Sequence, residues 1–420
     1  MQVGRTDAYK RFTFLFLVAG FLVRPRACAE INPLLKEMEA APLVLAGETI
    51  LPSPDATPIP DGVIVIESGK ITAFGRSGAV VPPSNAATLD CRGDTIVAGF
   101  WNCHVHFTER KWMDAAHLPA EQLARDLQQM LTRQGFTAVV DEGSVLPNTL
   151  SLRQRIEAGE VPGPRIVTAG IPLFPKDGIP WYVTESLPPD VVKQLYVPAS
   201  AEEAIRDVDK NLAGGADLVK LFLVTGVREN GRIVLRNMDA RIVLAAITEA
   251  HRLGKLVVVH PSNINGVELA LAGHVDILGH TIQDPENWTP AVVSRLIAAH
   301  VSLIPTLTLF GPTGNFSRVV GEVKSYTDAG GQVLFGTDVG FLTDYQSLSR
   351  EFSYLGESGL TLPQLLETLT TAPAGRFGHE GQTSRIAVGA DADLVILHGT
   401  PSEGPRILTQ VAYTDLTYQN

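Results

Sequence analysis

The sequence predicts an α/β fold: a (β/α)8 TIM barrel accompanied by a small β-sandwich that both ends of the chain build. The first observation is the length of 420 residues, which suits one large barrel or two to three average domains. The second is a content of 45% hydrophobic and 19% charged residues, typical of a globular protein. The third is the alternation of apolar, β-branched runs with amphipathic segments from residue 95 onward.

Eight apolar runs are predicted to be the barrel strands. They are continuously apolar rather than alternating, as expected where both faces of a parallel sheet are buried. An open, doubly wound sheet is the alternative, but it would not need polar residues at the ends of so many strands. The runs are Thr95–His106, Phe136–Gly143, Arg165–Gly170, Ala216–Val224, Lys255–Pro261, Val275–His280, Val301–Leu307 and Val333–Asp338.

Amphipathic segments between these runs predict helices. Apolar residues share one face of Pro119–Gln134 and of Ala201–Leu212. Gly135, Gly214 and Gly254 stand where the C-caps of such helices are expected. Strands and helices that alternate in this way favour a parallel barrel.

The chain is predicted to divide into four segments. Residues 1–29 are a signal peptide, residues 30–98 and 381–420 are the two parts of the β-sandwich, and residues 99–380 are the barrel. The flanking segments contain short strand-like runs broken by Gly and Pro, which suggests one small domain shared by both ends. These runs are Gly62–Glu67, Lys70–Phe74, Ala392–His398 and Arg406–Tyr413.

The N-terminus has the three parts of a secretory signal peptide. Lys10 and Arg11 precede an apolar run over residues 12–23, and Ala27-Cys28-Ala29 offers small residues before a cleavage site. The run is too short to cross a hydrocarbon core of about 30 Å as a helix. We expect cleavage near Ala29, a secreted or periplasmic protein and no stable membrane span afterwards. An uncleaved anchor and a lipid-modified Cys28 are the alternatives.

Charge and cysteine content exclude several classes of protein. The chain carries 34 basic and 45 acidic residues, a formal net charge of −11, without a basic stripe, which argues against binding to nucleic acid or to an anionic membrane. A small-molecule substrate is the expected partner, and a homo-oligomer is left open. Three cysteines are too few for a disulfide scaffold. Cys91 and Cys103 either pair in an oxidising compartment or stay as buried thiols.

Residues with metal-ligand chemistry lie in or at the ends of five predicted strands. The two imidazoles of His104-Val105-His106 point to the same side of a strand, so they can bind one ion. Lys220 lies inside an apolar strand, where an ammonium group is costly unless its charge is neutralised or used. One such residue alone is more often a hydrogen-bonded strand end, but five strands at the catalytic face of one barrel are hard to assign to chance. The set is His104, His106, Lys220, His260, His280 and Asp338.

Other polar residues have weaker patterns. Asp141, after the second strand, either hydrogen-bonds to a ligand of the site or only caps a loop. Six histidines fall on predicted helix surfaces or turns and are interpreted as solvated: His117, His251, His274, His300, His379 and His398.

The ligand set resembles that of the amidohydrolase superfamily. The likeness extends to its imidazolonepropionase-related branch, which includes metal-dependent Xaa-Pro dipeptidases, and it covers most of the chain after residue 29. The motifs that carry it are specific for the superfamily and much less so for a substrate. They are Val97-Ala98-Gly99-Phe100 before the histidine pair, Gly135–Gly143, Gly215–Lys220, Gly336-Thr337-Asp338, Glu357–Thr361, Thr370–Ala374 and Gly389–Val395.

The resemblance implies a binuclear metal centre. By this likeness His104-x-His106 and Asp338 hold one ion, His260 and His280 hold the other, and Lys220, carboxylated by CO₂, bridges both. Imidazole and carboxylate ligands suit Zn²⁺, with Mn²⁺, Fe²⁺ or Co²⁺ as alternatives. Asp338 is expected to take a proton from the activated water and pass it to the leaving amine.

Three positions bear on the resemblance. Lys220 argues against imidazolonepropionase activity, because those enzymes lack the bridging lysine. Asn102 replaces the usual Asp two residues before the first histidine, and Gly279 stands before His280 where an acidic residue is common. Neither replacement removes a predicted metal ligand.

Substrate recognition is expected in the βα loops, above all in the long loop after the third strand. Trp181 and Tyr182 in this loop are candidates for an apolar wall, and Lys176 is a candidate partner of a carboxylate. A packed lid without substrate contact is the alternative. Further candidates outside this loop are Arg228, Arg232 and Tyr345.

These residues predict an exported metal-dependent hydrolase that cleaves an amide C–N bond, in Xaa-Pro dipeptides or N-acyl amino acids. The same activated water could attack an ester, a lactone or a phosphotriester, and the sequence does not discriminate between these bonds. A barrel that binds a ligand without turnover is the third reading, against which Asp338 and Lys220 count.

Overall fold

The computed structural model describes residues 42–311, 314, 316–346 and 348–415. The predicted signal peptide lies outside the described residues, as do residues 30–41 and 416–420 of the two predicted sandwich segments. Among the helices of the described ranges, none is long and apolar enough to cross a bilayer.

The strands and helices are numbered here in chain order. The strands are β1 (Leu43–Ile50), β2 (Ile59–Glu67), β3 (Lys70–Arg76), β4 (Ala87–Asp90), β5 (Asp94–Ala98), β6 (Phe100–Val105), β7 (Phe136–Asp141), β8 (Arg165–Thr168), β9 (Val219–Phe222), β10 (Val224–Glu229), β11 (Arg232–Asn237), β12 (Val257–His260), β13 (Ile277–Leu278), β14 (Ser302–Leu303), β15 (Leu394–His398) and β16 (Val411–Asp415). The helices are α1 (Ala120–Met130), α2 (Leu146–Glu157), α3 (Trp181–Ser186), α4 (Pro189–Val192), α5 (Ala201–Ala213), α6 (Ala240–Arg252), α7 (Ile264–Gly273), α8 (Pro290–Ala298), α9 (Phe316–Asp328), α10 (Ser349–Glu357), α11 (Leu362–Leu369) and α12 (Thr371–Arg376).

Parallel strands form the centre of the molecule. β6, β7 and β8 pair in that order, and β9, β12, β13 and β14 form a second parallel sheet. An isolated bridge joins Leu173, in the segment after β8, to Leu221 in β9. The segment over residues 333–339 bridges β14 through Leu303 and β6 through Val105. With helices between successive strands, this is a TIM-barrel-like α/β fold.

Alternate residues of these strands enter two different cores. One buried cluster takes apolar side chains from each of the eight runs predicted to be barrel strands. Trp101, Val140, Val258 and Leu334 are among them. The other joins residues from the opposite strand faces, such as Val139, to helix residues such as Leu127. Because successive side chains of a strand point to opposite faces, the first cluster lies between the strands and the second lies under the helices.

Both ends of the chain contribute to one seven-stranded sheet, in the order β16-β15-β5-β1-β2-β3 with β4 beside β1. β5 and β15 are antiparallel neighbours, with Val97 opposite Val395. Isoleucines from both ends, such as Ile96 and Ile396, bury one face of this sheet in a core of its own. The described residues thus confirm that the two ends meet, whereas a second sheet that would complete a sandwich stays a prediction.

The first predicted barrel strand is wrong as a single run. Thr95–His106 divides at Gly99 into β5, which belongs to the terminal sheet, and β6, which belongs to the barrel. A Cβ atom at Gly99 would lie 2.0 Å from Thr137 Oγ1 on β7. The glycine therefore lets the two sheets meet, and the apolar pattern alone does not reveal the boundary.

The segment after β9 is a hairpin. β10 and β11 pair antiparallel from Val224 opposite Asn237 to Glu229 opposite Arg232.

Of the three glycines predicted to cap helices, Gly135 and Gly254 adopt left-handed conformations with φ of 88° and 68°. Gly214 stays helical, and the left-handed turn falls on the next residue, Gly215.

Both cysteines of the described residues, Cys91 and Cys103, are buried. Cys91 lies in the core of the terminal sheet and Cys103 in the cluster between the barrel strands. The alternative of a disulfide is therefore wrong, because the two side chains belong to separate cores.

Candidate active site

The six predicted ligand residues meet at the carboxyl end of the parallel strands. His104 is in β6, Lys220 in β9 and His260 at the end of β12. His280 follows β13, and Asp338 lies in the segment over residues 333–339 that bridges β6. The rings of His104 and His280 and those of His260 and His280 are each 4.6 Å apart, centre to centre, and those of His104 and His106 are 5.2 Å apart.

A register shift in β6 turns the histidine pair inward. Trp101 and Cys103 belong to the cluster between the strands, so regular alternation would send His104 to the helix side. However, the pairing of β6 with β7 slips between Asn102 and Val105. An extra residue of this kind re-aims the following side chains, which places both imidazoles at the site.

Asp338 faces the histidine pair. Its Oδ1 lies 3.0 Å from His106 Nε2 and 3.5 Å from His104 Nε2. The backbone of Asp338 is left-handed, with φ of 60°, which is uncommon for a residue other than glycine. One ligand atom each of His104, His280 and Asp338 lies within 4.8 Å of the others. These three residues therefore form a candidate metal-binding group.

Hydrogen bonds fix the orientation of two imidazoles. His106 Nδ1 lies 2.8 Å from the carbonyl oxygen of Gly143, which can only accept, so Nδ1 carries the proton. His280 Nδ1 lies 2.7 Å from Thr306 Oγ1, whose own hydrogen is donated to the carbonyl of Pro305. Both rings are therefore left with a free Nε2 lone pair, the form in which histidine binds a metal ion.

Burial also favours neutral imidazoles. Desolvation and the nearby Lys220 charge lower the pKa of His104 well below its usual value, and they lower that of His260 to about 3. Desolvation, assisted by His260, likewise lowers the pKa of His280. Burial acts in the same direction on His106, but the carboxylate of Asp338, 3.0 Å from its Nε2, raises the pKa of His106 overall.

The donor set fits divalent metal ions. Four buried polar atoms of this cluster have no hydrogen-bond partner: His260 Nδ1, Asp338 Oδ1, and His104 Nδ1 and Glu142 Oε1, which face each other at 3.3 Å. His106 Nε2 lies 3.0 Å from Asp338 Oδ1. Two ligand atoms of a tetrahedral Zn²⁺ ion are about 3.3 Å apart, so His106 and Asp338 are spaced as two ligands of one ion would be.

Sequence reasoning missed Glu142, which follows β7. It is fully buried, and its Oε2 accepts a hydrogen bond from Lys220 Nζ. Its Oε1 lies 3.3 Å from His104 Nδ1. Burial raises the pKa of this carboxyl group, and Lys220 opposes the rise. The available signal was an acidic residue at the end of an apolar strand, the same criterion that selected the ligands on the other strands.

Asp141 caps the loop after β7. Its carboxylate accepts hydrogen bonds from Ser144 Oγ at 2.6 Å, from Thr168 Oγ1 at 2.7 Å and from the backbone of Gly143. Asn102, the departure from the family pattern, accepts from Thr337 N at 3.1 Å and donates to Thr337 Oγ1 at 2.8 Å. It thereby ties β6 to the segment that presents Asp338.

The loop after β8 contains two short helices, α3 and α4, and one of its two aromatic candidates faces the metal-ligand group. Tyr182 packs edge-on against Phe341 with 5.5 Å between ring centres, and Phe341 packs against His106 at 4.6 Å. Burial, and to a smaller extent the charge of Asp338, raises the pKa of Tyr182. Phe341 was not predicted, since a single aromatic residue after a strand carries no recognisable pattern.

The other substrate-contact candidates lie elsewhere. Trp181 and Arg228 line a cavity of about 590 Å³ that includes none of the six predicted ligands. The Arg228 guanidinium lies 4.4 Å from the Trp181 ring centre and pairs with Glu185 at 2.6 Å, so it is not a free carboxylate partner. Lys176 and Arg232 are exposed. The hydroxyl of Tyr345 contacts Glu109 and Lys111.

Five of the six remaining histidines agree with a surface role. His117 is 80% exposed, His251, His274 and His300 are exposed on helices or turns, and His398 is exposed at the end of β15. His379 is different: it is half-buried, 5.5 Å from the ring centre of Trp101, and burial lowers its pKa. The prediction that it is fully solvated is wrong, because α12 brings it against the amino-terminal part of β6.

Comparisons with solved structures agree with this fold. A candidate prolidase from Bifidobacterium longum superposes with a TM-score of 0.73 and 24% identity, covering 90% of this chain and 94% of that one. A prolidase in complex with N-methylphosphonate-L-proline gives a TM-score of 0.71 and 25% identity, covering 90% and 98%. A Xaa-Pro dipeptidase with methionine in its active site gives 0.74 and 20%, covering 90% and 99%.

Sequence comparisons point to the same group. The guanine deaminase of Escherichia coli K12 is 26% identical over a match that spans 24% of this chain and 30% of the deaminase. The family model described as "Amidohydrolase family" matches residues 95–419, which include β6 and all six predicted ligands. The chain therefore belongs to the amidohydrolase family and is a hydrolase.

Proposed function

We propose that this protein is an exported, metal-dependent amidohydrolase that hydrolyses the amide bond of Xaa-Pro dipeptides or N-acyl amino acids. The observation that carries the proposal is the meeting of His104, His106, Lys220, His260, His280 and Asp338 at one end of the parallel strands. Titratable groups of these types rarely gather in a buried cluster without a functional reason. The prolidase at 25% identity supports the dipeptide class.

Two divalent ions, with Zn²⁺ as the first choice, suit this donor set. The histidine pair of β6 and Asp338 would hold one ion, and His260 and His280 the other. Lys220, carboxylated by CO₂, would bridge them; its Nζ is fully buried, where a carbamate removes the cost of an isolated ammonium. Ions bound in this way lower the pKa of water from 15.7 towards about 7 and polarise the scissile carbonyl.

The protein's own residues would then orient and move protons. Asp338 Oδ1, which has no hydrogen-bond partner, is placed to take a proton from the attacking water and to return it to the leaving amine. The Gly143 carbonyl and Thr306 keep His106 and His280 in their ligand form. Tyr182 and Phe341 cover the histidine pair, so they would exclude water and contact the apolar part of a substrate.

The wider architecture follows the same proposal. We further propose that the eight parallel strand segments close into one barrel and that the terminal sheet is part of a β-sandwich. A signal peptide over residues 1–29, removed during export, would direct the enzyme to the periplasm or outside the cell. Mass spectrometry of the protein secreted by its host should therefore find a mature N-terminus near residue 30.

The test of the activity is a release assay. Metal-replete protein with bicarbonate is incubated with pooled Xaa-Pro dipeptides and N-acyl amino acids, and freed amines are identified by mass spectrometry. His260→Ala should abolish release, whereas His251→Ala, which changes an exposed histidine on α6, should leave it intact. Turnover retained by His260→Ala would contradict the two-ion mechanism. If only esters, lactones or phosphotriesters are cleaved, the amide assignment is wrong.

A further inference from the structure

We propose that Glu142 is a positioning residue that holds Lys220 with one carboxylate oxygen and His104 with the other. The proposal rests on the metal centre described under Proposed function. Oε2 accepts a hydrogen bond from Lys220 Nζ, and Oε1 lies 3.3 Å from His104 Nδ1. Glu142 and Lys220 are fully buried and His104 is 1% exposed, so water cannot replace these contacts.

Gly279 provides the space for this carboxylate. A Cβ atom at Gly279 would lie 2.7 Å from Glu142 Oε2 and 2.9 Å from Lys220 Nζ. The carboxylate comes from the residue after β7, and the missing side chain after β13 leaves room for it.

The contact with His104 determines which ring nitrogen is free. Glu142 Oε1 can only accept while ionised, so it favours a proton on the facing Nδ1. The lone pair then resides on Nε2, which lies 3.5 Å from Asp338 Oδ1. His104 would thus be oriented by a carboxylate, as His106 is by Gly143 and His280 by Thr306.

The contact with Lys220 survives the proposed carboxylation. The neutral amine attacks the carbon of CO₂, an N–C bond forms, one C–O π pair moves to oxygen, and one N–H proton leaves to solvent. The resulting carbamate keeps a single N–H on Nζ. That N–H would donate to Glu142 Oε2, as the ammonium group does now, and would leave the carbamate oxygens free for the ions.

The Zn²⁺ affinity of Glu142 variants tests the positioning role. Glu142→Gln keeps the shape of the side chain but loses one of the two acceptor oxygens. Zn²⁺ affinity is measured by competition with a chromogenic chelator, and thermal unfolding of the metal-free proteins is followed in parallel. We expect 10- to 100-fold weaker Zn²⁺ binding, because residues that orient metal ligands typically have effects of this size. Glu249→Gln, on α6 beside Arg252, should bind Zn²⁺ like the wild type.

A second variant keeps the test decisive if Glu142→Gln does not fold. Glu142→Asp retains the charge but is one methylene shorter, so it cannot reach both partners, and it should also lose at least 10-fold in Zn²⁺ affinity. Zn²⁺ affinity within 2-fold of the wild type in either folded variant would overturn the positioning role. If the wild type itself binds no Zn²⁺, the proposed metal centre fails, which is a different result.

Discussion

Glu322 on α9 is a buried carboxyl group that should make stability fall as pH rises. It is 2% exposed, its Oε2 accepts a hydrogen bond from Ile282 N at 3.1 Å, and its Oε1 has no partner. Burial, reinforced by Asp284 and Glu286, raises its pKa from 4.5 to about 8. The folded protein therefore holds a proton that the unfolded chain releases near pH 4.5.

The sign and size of the effect follow from this difference. Between pH 4.5 and 8 folding takes up a proton at Glu322, so the free energy of unfolding falls as pH rises through this window. The full loss above pH 8 is about 5 kcal/mol, at roughly 1.4 kcal/mol for each pH unit. For a chain of this length this corresponds to about 6 °C in melting temperature.

Glu322→Gln removes the titrating group and keeps an oxygen for Ile282 N. Melting temperatures of the variant and the wild type are measured from pH 5.5 to 9 in chelator, so that metal binding contributes nothing. The variant should gain several degrees relative to the wild type as pH rises. Glu121→Gln, which is 92% exposed on α1, should run parallel to the wild type. A constant difference between Glu322→Gln and the wild type across this range would refute the reasoning.

Four further changes test the site. Asp338→Asn should lower kcat by about 10²- to 10⁴-fold with Zn²⁺ bound, because the proton acceptor is lost; an unchanged kcat would exclude this role. Thr306→Val leaves His280 Nδ1 without its acceptor, so Zn²⁺ affinity should fall about 10- to 100-fold in a chelator competition, and an unaltered affinity would contradict the tautomer assignment. Gly279→Ala should destabilise the metal-free protein by about 1–3 kcal/mol in urea, since its Cβ lies within 3.0 Å of two polar atoms; a neutral result would show that the pocket can relax. Tyr182→Ala should raise KM several-fold for apolar dipeptides, and equal KM values would place the lid outside the substrate site.

The meeting of the six candidate ligands could be predicted because each member follows a simple rule. Lys220 and His260 each lie within or at the end of a continuously apolar run, and parallel strands bring their carboxyl ends to one edge. Glu142 obeys the same rule and was overlooked beside Asp141, which the structure uses as a loop cap. Arg228 satisfied the expected chemistry of a carboxylate partner, but Glu185 already neutralises it. Such pairings join residues distant in sequence, so no local pattern reveals them.

The sequence by itself determined which residues are apolar and in what order they recur, and this specified a barrel-like fold, the joining of both chain ends and the family. Only the tertiary structure decided where side chains point. The slip between Asn102 and Val105 turns His104 and His106 inward, Gly99 divides a continuous apolar run between two sheets, and Gly279 admits the carboxylate of another strand. Each depends on close packing between strands that are far apart in the chain, where shifts of one residue or one carbon atom reverse the outcome.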